Sequence, residues 1–311
     1  MGNQKLIIGT RGSKLALWQS HFVKSVLEKN HPGLTVELVK ITTTGDKILD
    51  SPLAKIGDKG LFTKQLEVAL LAGEIDLAVH SLKDLPTALD DGLMIGAISK
   101  REDPRDALVS KNGGGILDLP KGAVVATSSL RRRSQLLALR PDVCCESIRG
   151  NLDTRLRKLD ENPNLNALIL AKAGMVRLGF DDRISCEIPY EQMLPAVGQG
   201  ALGVEIRDND PVVQELIFLL HDAQTAAEVL AEREFLARLE GGCQIPIGAL
   251  GRVENNNLIL EGVVGSLDGD ILLKDEVMGA ADEPKKAGRA LAEKLLAQGA
   301  KKILEEIRLE D

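Results

Sequence analysis

Apolar and polar positions alternate along this chain with two periods. Residues 5–10 form an apolar run of strand length, and Arg11-Gly12-Ser13 turns it into a helix. In that helix Leu15, Trp18, Phe22 and Val26 recur at helical spacing and predict one inward face. His31-Pro32-Gly33 stops it, and residues 34–42 return to strand alternation through Val36, Leu38 and Ile41. A polar stretch over 43–60 is about twice the usual loop length and reads as a functional loop. A second helix follows with Phe62, Leu66, Ala69 and Leu70 inward. Next come a buried strand over 76–79, which runs into His80-Ser81-Leu82-Lys83-Asp84, and a strand over 93–99.

After a charged link at 100–106 the same grammar restarts. It gives strand 123–127, helix 130–139, a helix over 151–159 capped by Asn151, strand 167–171 and strand 200–206. The junctions also match. Thr10-Arg11-Gly12-Ser13 follows one strand and Thr127-Ser128-Ser129-Leu130-Arg131 follows the other, each opening a helix, which predicts two related α/β lobes. From about residue 222 the character changes to a long helix over 225–239, three strands near 247–253, 258–264 and 271–277, and helical residues 284–304. Helix and antiparallel strand segregate there, as in an α+β domain. The predicted division is a first α/β lobe over 1–99 with 200–218, a second α/β lobe over 105–194, and a smaller C-terminal α+β domain over 222–311.

A length of 311 residues agrees with two or three domains. Apolar residues at 44% and charged residues at 27% are ordinary for a soluble chain, and no apolar run approaches the ~18 residues of a membrane helix. No secretory signal is visible at the start, and Cys144, Cys145, Cys186 and Cys243 show neither CxxC pairs nor regular spacing. The expectation is a reduced, cytoplasmic protein without a disulfide framework or metal centre. A net charge of −7 and an aromatic content of 2% speak against a nucleic-acid surface. No obvious exposed apolar stripe argues for a dimer, so a monomer is expected.

Within this acidic chain the arginines are clustered. Seven stand between Arg131 and Arg157 against three acids, a local excess of four positive charges. Arg131, Arg132 and Arg133 crowd a helix N-terminus, where the macrodipole favours anions by about 0.3–1 kcal/mol. An anion held there by backbone N–H groups, by Ser128 and Ser129 and by the arginine forks resolves the conflict. A solvated basic helix start resolves it equally. Arg11, Ser13 and Lys14 repeat the device, and Arg149-Gly150-Asn151 with Arg155 repeats it again; Arg177, after Ala173-Gly174, could join them. Asp84 follows a buried strand, where α/β sheets bind ligands, but a turn-forming Asp is the plainer account on its own. Cys243 lies in a Gly-flanked loop with room to be a nucleophile or attachment point, yet a free Cys is ordinarily a small buried hydrophobe. P-loop, HExxH and GxSxG patterns are absent.

Taken together, GTRGSKLALWQ (9–19), GDKGLFTKQLE (57–67), DLAVHSLKDLP (76–86), ATSSLRRRSQL (126–136), IRGNLDTRLRKL (148–159), LPAVGQGALG (194–203) and GGCQIPIGA (241–249) closely resemble the porphobilinogen deaminase (hydroxymethylbilane synthase) family. Gln65 stands where a Glu is common in that family. The resemblance implies two lobes like periplasmic binding proteins plus an α+β domain. It implies a transferase of tetrapyrrole (haem) biosynthesis that condenses four porphobilinogen molecules head to tail, releases four ammonia and frees hydroxymethylbilane with water. Its cofactor would be a dipyrromethane joined by a thioether to Cys243, and its catalytic carboxylate would be Asp84. By the same resemblance Lys83, Thr127, Ser129, Arg131 and Arg132 lean toward the cofactor. Arg11, Ser13, Gln19, Arg149 and Arg177 lean toward incoming substrate, and Arg155 serves both. Lys55 and Lys59 fall in the long loop, which would act as a lid. A solute-binding module for a carboxylated ligand shares the two lobes and anion-holding helix starts, but would carry no added pyrrole mass.

Overall fold

A computed structural model describes residues 4–47, 60–239 and 245–310. Lys55, Lys59 and Cys243 lie outside the described residues.

The N-terminal segment folds around a mixed sheet. Strand β1 (Gln4–Thr10) pairs in parallel with β2 (Leu34–Lys40) and with β3 (Leu77–Ser81). Beyond β3 stands β10 (Leu202–Arg207), antiparallel both to it and to β4 (Leu93–Ile98), so the order is β2-β1-β3-β10-β4. Helix α1 (Lys14–Asn30) and α3 (Lys64–Leu71) follow their strands, with a short α2 (Thr44–Lys47) between. The second sheet repeats this plan. Its order is β7 (Cys144–Glu146), β6 (Val124–Ala126), β8 (Ala167–Ala171), β5 (Asp106–Ser110) and β9 (Cys186–Glu187). β6 is parallel to β7 and β8, and β5 is antiparallel to β8 and β9. The expected internal repeat is thus visible as two sheets of the same order and strand directions, each with its fourth strand out of chain order and antiparallel to both neighbours.

The third sheet is antiparallel: β11 (Ile247–Glu254), β12 (Asn257–Gly265) and β13 (Leu272–Ala280). Its apolar face packs on α8 (Ala223–Arg238), α9 (Pro284–Ala297) and α10 (Ala300–Glu310) through Phe235, Leu260, Leu291 and Ile303. Helix and antiparallel strand segregate here as expected. The described chain divides into two compact units: one built from the N-terminal segment through Glu102 with Ala201–Ala226, the other from Asp103–Gly200 and from Ala227 to the C-terminal helix. No described helix is long and apolar enough to cross a membrane.

Three sequence expectations need correction. The face of α1 named by Leu15, Trp18, Phe22 and Val26 is not the buried one; Ala16, Gln19, Ser20, Val23 and Leu27 are. Small and polar side chains let the helix start lie close to the sheet, while Trp18 and Phe22 stay exposed and stack at 5.7 Å. The helical stretch over 284–304 is two helices, α9 and α10, broken where Gly299 takes a left-handed φ of 108°. The link at 100–106 ends inside β5, a strand the charged sequence had hidden.

Buried carboxylates tie the second unit together. Glu232 of α8 accepts the N–H groups of Gly198 and Gly251 at 2.7 and 2.8 Å, joining the 194–199 segment to β11. Helix α4 (Leu130–Leu139) meets the turn between β12 and β13 closely: a Cβ on Gly269 would fall 2.5 Å from the Ala138 nitrogen.

Candidate functional site

In the first unit a pocket opens at the carboxyl ends of β1 and β3, the edge where α/β sheets receive ligands. Arg11, Ser13, Gln19, Phe62, His80, Ser81 and Asp84 line it. Ser13 caps α1, its hydroxyl accepting the Ala16 N–H at 3.3 Å. Gln19 is buried and donates to the Ser81 hydroxyl at 2.8 Å, fixing the end of β3. From there a single 3-10 turn, Leu82–Asp84, carries Asp84, which is exposed and lines the pocket with Arg11. The Leu82 N–H donates to the Ala201 carbonyl at 3.0 Å and holds that turn to the segment before β10. Arg11 lies over the Phe62 ring, 4.2 Å from its centroid, a cation–π contact. Lys83 is half-buried beside Asp84.

Behind the pocket, His80 and Glu205 form a buried pair at 3.0 Å. Glu67 of α3 is buried nearby; burial pushes its carboxyl up, and the Glu205 charge adds to the effect. Sequence reasoning had passed over this cluster because each member sits in an ordinary strand or helix pattern.

In the second unit the equivalent helix start is that of α4. The Thr127 hydroxyl accepts the Ser129 N–H at 3.2 Å, and the Ser129 hydroxyl caps the helix by accepting the Arg132 N–H at 3.5 Å. Ser128 stitches this loop to the next, donating to the Ile148 carbonyl at 2.6 Å and accepting the Ile148 N–H at 3.0 Å. Arg149 therefore stands on a backbone fixed to the α4 start. Its side chain is half-buried. Asn151 occupies the cap position of α5 (Leu152–Glu161), but its side chain makes no capping bond, contrary to expectation. Arg155 instead donates from Nε to the Gly150 carbonyl at 2.8 Å, and Arg177 of α6 (Lys172–Arg177) donates to the Gly200 carbonyl at 2.5 Å.

Arg131 and Arg132 are buried rather than spread on a basic surface. Both bind Asp106, the first residue of β5, which is fully buried. Burial alone would push the Asp106 carboxyl up, but the two guanidiniums override it and hold it well below the usual carboxylate range. Arg131 feels the opposite strain: burial pulls its guanidinium down from its ordinary value, against the support of Asp106. Asp106 was missed in sequence because it closes a charged stretch, 100–106, that read as a link. The usable signal was an acid directly before the apolar run Ala107-Leu108-Val109.

The family model described as the porphobilinogen deaminase, dipyrromethane cofactor binding domain matches residues 6–215, and the porphobilinogen deaminase C-terminal domain matches 226–297. The chain is 54% identical over 307 residues to the porphobilinogen deaminase of Geobacter metallireducens, covering 99% of this chain and 96% of that protein. It is 54% identical over 305 residues to that of Carboxydothermus hydrogenoformans, covering 98% of each. Among solved structures, a substrate binding domain of a putative amino acid ABC transporter from Streptococcus pneumoniae is similar at a TM-score of 0.43 and 12% identity, covering 75% of this chain and 93% of that one. With two family models spanning most of its length and relatives at this identity, the chain belongs to the porphobilinogen deaminase family.

Proposed function

We propose that this protein condenses four porphobilinogen molecules stepwise on a dipyrromethane thioether-linked to Cys243, releasing four ammonia and then, with water, hydroxymethylbilane. The observation that carries the reading is the first-unit pocket, where Asp84 stands on the same rim as Arg11 and Ser13. Porphobilinogen bears two carboxylates and one pyrrole N–H, and that rim offers cationic and hydroxyl groups for the former and a carboxylate for the latter. The three-domain division over 1–99 with 200–218, 105–194 and 222–311 is the framework, in a cytoplasmic monomer.

The residues present fit the cofactor's chemistry. Arg131 and Arg132 share one acid between them, which leaves a buried cluster with one positive charge in excess, and a carboxylate is the group that would relieve it. Thr127, Ser129, Arg131, Arg132 and Lys83 would hold the dipyrromethane, whose terminal pyrrole carbon supplies the nucleophile when it is bound. Arg11, Ser13, Arg149 and Arg177 would bind the acetate and propionate of each incoming substrate, with Gln19 fixing the pocket wall and Arg155 shared. Arginine suits this work because its planar fork takes a carboxylate bidentately. Asp84 would accept the pyrrole N–H and offset the positive charge that grows as the aminomethyl C–N bond breaks. The aminomethyl group, as an ammonium, leaves as ammonia, and the same carboxylate can take up the proton released from the ring carbon once the new C–C bond has formed. Lys55 and Lys59 would close over the pocket as a lid.

Intact-mass measurement tests the reading. The purified protein should exceed its chain mass by two pyrrole units, the excess should vanish in Cys243→Ser, and added porphobilinogen should give further steps of one pyrrole. A wild-type protein at bare chain mass that gains nothing from porphobilinogen overturns it.

A further inference from the structure

Because β5 runs against β8, its first residue stands beside the last residue of β8, Asp106 opposite Ala171. The antiparallel strand thus delivers a carboxylate to the edge where the parallel strands end and α4 begins. There its two oxygens are divided. Oδ2 accepts from Arg131 Nη1 at 2.7 Å, while Oδ1 accepts from Arg132 Nε and Nη2 at 3.1 and 2.7 Å and from Gln199 Nε2 at 2.9 Å. Neighbouring residues on a helix diverge by about 100°, so two consecutive arginines reach one side only when something between them binds both. Backbone carbonyls complete the clamp, Leu194 for Arg131 at 2.7 Å and Ile169 for Arg132 at 3.0 Å. Arg131 commits only Nη1 to these contacts; its Nε and Nη2 make no hydrogen bond among the described residues.

The first sheet has the same plan without this acid. β10 occupies the place of β5, and Leu202, opposite Ser81, stands where Asp106 stands opposite Ala171. At that helix start Arg11 lies on the Phe62 ring. At one helix start, then, two arginines contact an internal carboxylate, and at the other an arginine contacts an aromatic face.

We propose that Asp106 is a positioning residue: it locks Arg131 and Arg132 into one preorganised cationic unit whose remaining charge and donors fit a single carboxylate of a permanently held ligand. The inference rests on the reading above, in which that ligand is the dipyrromethane. Preorganisation matters because a clamp assembled in advance does not have to be ordered when the ligand arrives, and a misplacement of 1 Å can cost about 10²-fold.

The experiment uses full-length chain made in a host unable to supply porphobilinogen, so that it starts without cofactor. Its conversion on adding porphobilinogen is followed by intact mass, and folding is checked by cooperative thermal melting. Asp106→Asn should gain the two-pyrrole mass about 10-fold or more slowly than wild type, and Asp106→Glu should recover part of the rate. A folded Asp106→Asn protein that converts at the wild-type rate overturns the proposal; a wild-type chain that gains no mass overturns instead the family-level reading. If Asp106→Asn does not fold, Asp106→Glu is judged by the same comparison. A crystal structure of the wild-type holoprotein decides independently: both guanidiniums on Asp106 with a ligand carboxylate on Arg131 supports the proposal, and either guanidinium turned away from Asp106 overturns it.

Discussion

At the scale of single residues, the proposed chemistry rests on one acid, Asp84. Asp84 is exposed on a one-turn helix, and the groups that fix it act through the backbone: Gln19 on Ser81, and Ala201 on the Leu82 N–H. Replacing Asp84 with Asn preserves shape and removes charge, so tetrapyrrole formation should fall by about 10²-fold or more while the cofactor mass remains. Near-normal turnover in that variant would remove Asp84 from the reaction. Arg11 and Ser13 stood out because they sit at a strand-to-helix junction, where chain direction fixes location, whereas position alone gave Asp84 the plainer reading of a turn former and only the family resemblance gave it a role. The reach of Arg131 and Arg132 was not, because a helix-start arginine looks the same in sequence whether solvent or a buried acid receives it.

Among elements, α4 is the piece on which most depends. Its N-terminus carries the arginine pair, and its C-terminal half lies under the turn between β12 and β13. Gly269 in that turn has a φ of 81°, and an added Cβ would meet the backbone of Leu137 and Ala138 at 2.8 and 2.5 Å. Backbone cannot give way as a flexible side chain can, so Gly269→Val should lower stability by about 1–3 kcal/mol, read as a fall in the urea midpoint. A midpoint equal to wild type would mean that the turn swings free of α4. Most strands and helices were readable from period and turn chemistry, α4 to the residue. The failures share a cause. Hydrophobicity ranks Trp18 and Phe22 as inward, yet α1 buries the neighbouring stripe, small and polar at its start (Ala16, Gln19, Ser20) and apolar beyond (Val23, Leu27). β5 went unseen because its first residue is charged, and only the two arginines brought to it by the fold make burial of that charge tolerable.

For the molecule as a whole, acid should act on the ion networks where the chain enters the second unit. Asp103 accepts from Arg105 and Lys172, and these cations override burial to hold its carboxyl well below the ordinary range, as Arg131 and Arg132 do for Asp106. A carboxyl depressed in the folded state contributes stability that is complete above its unfolded value of about 3.9 and is lost as pH falls through the folded value. Urea midpoints should therefore be flat with respect to these two groups from neutral pH down to about 5 and decline below about 4. Asp103→Asn should begin lower and decline less steeply; a decline as steep as wild type would show that the network adds nothing.

The placement of β10 also governs the order of events during synthesis. The first sheet needs this strand between β3 and β4, but β10 emerges about a hundred residues after the rest of the sheet has been made. At about 5–20 residues per second, the nascent N-terminal segment waits on the order of 5–20 s with β3 and β4 unjoined. During that interval the intervening segment can close its own sheet on the ribosome. The sheet that begins first is thus completed second, and a ribosome stalled before residue 202 would expose two strand edges that a chaperone could bind.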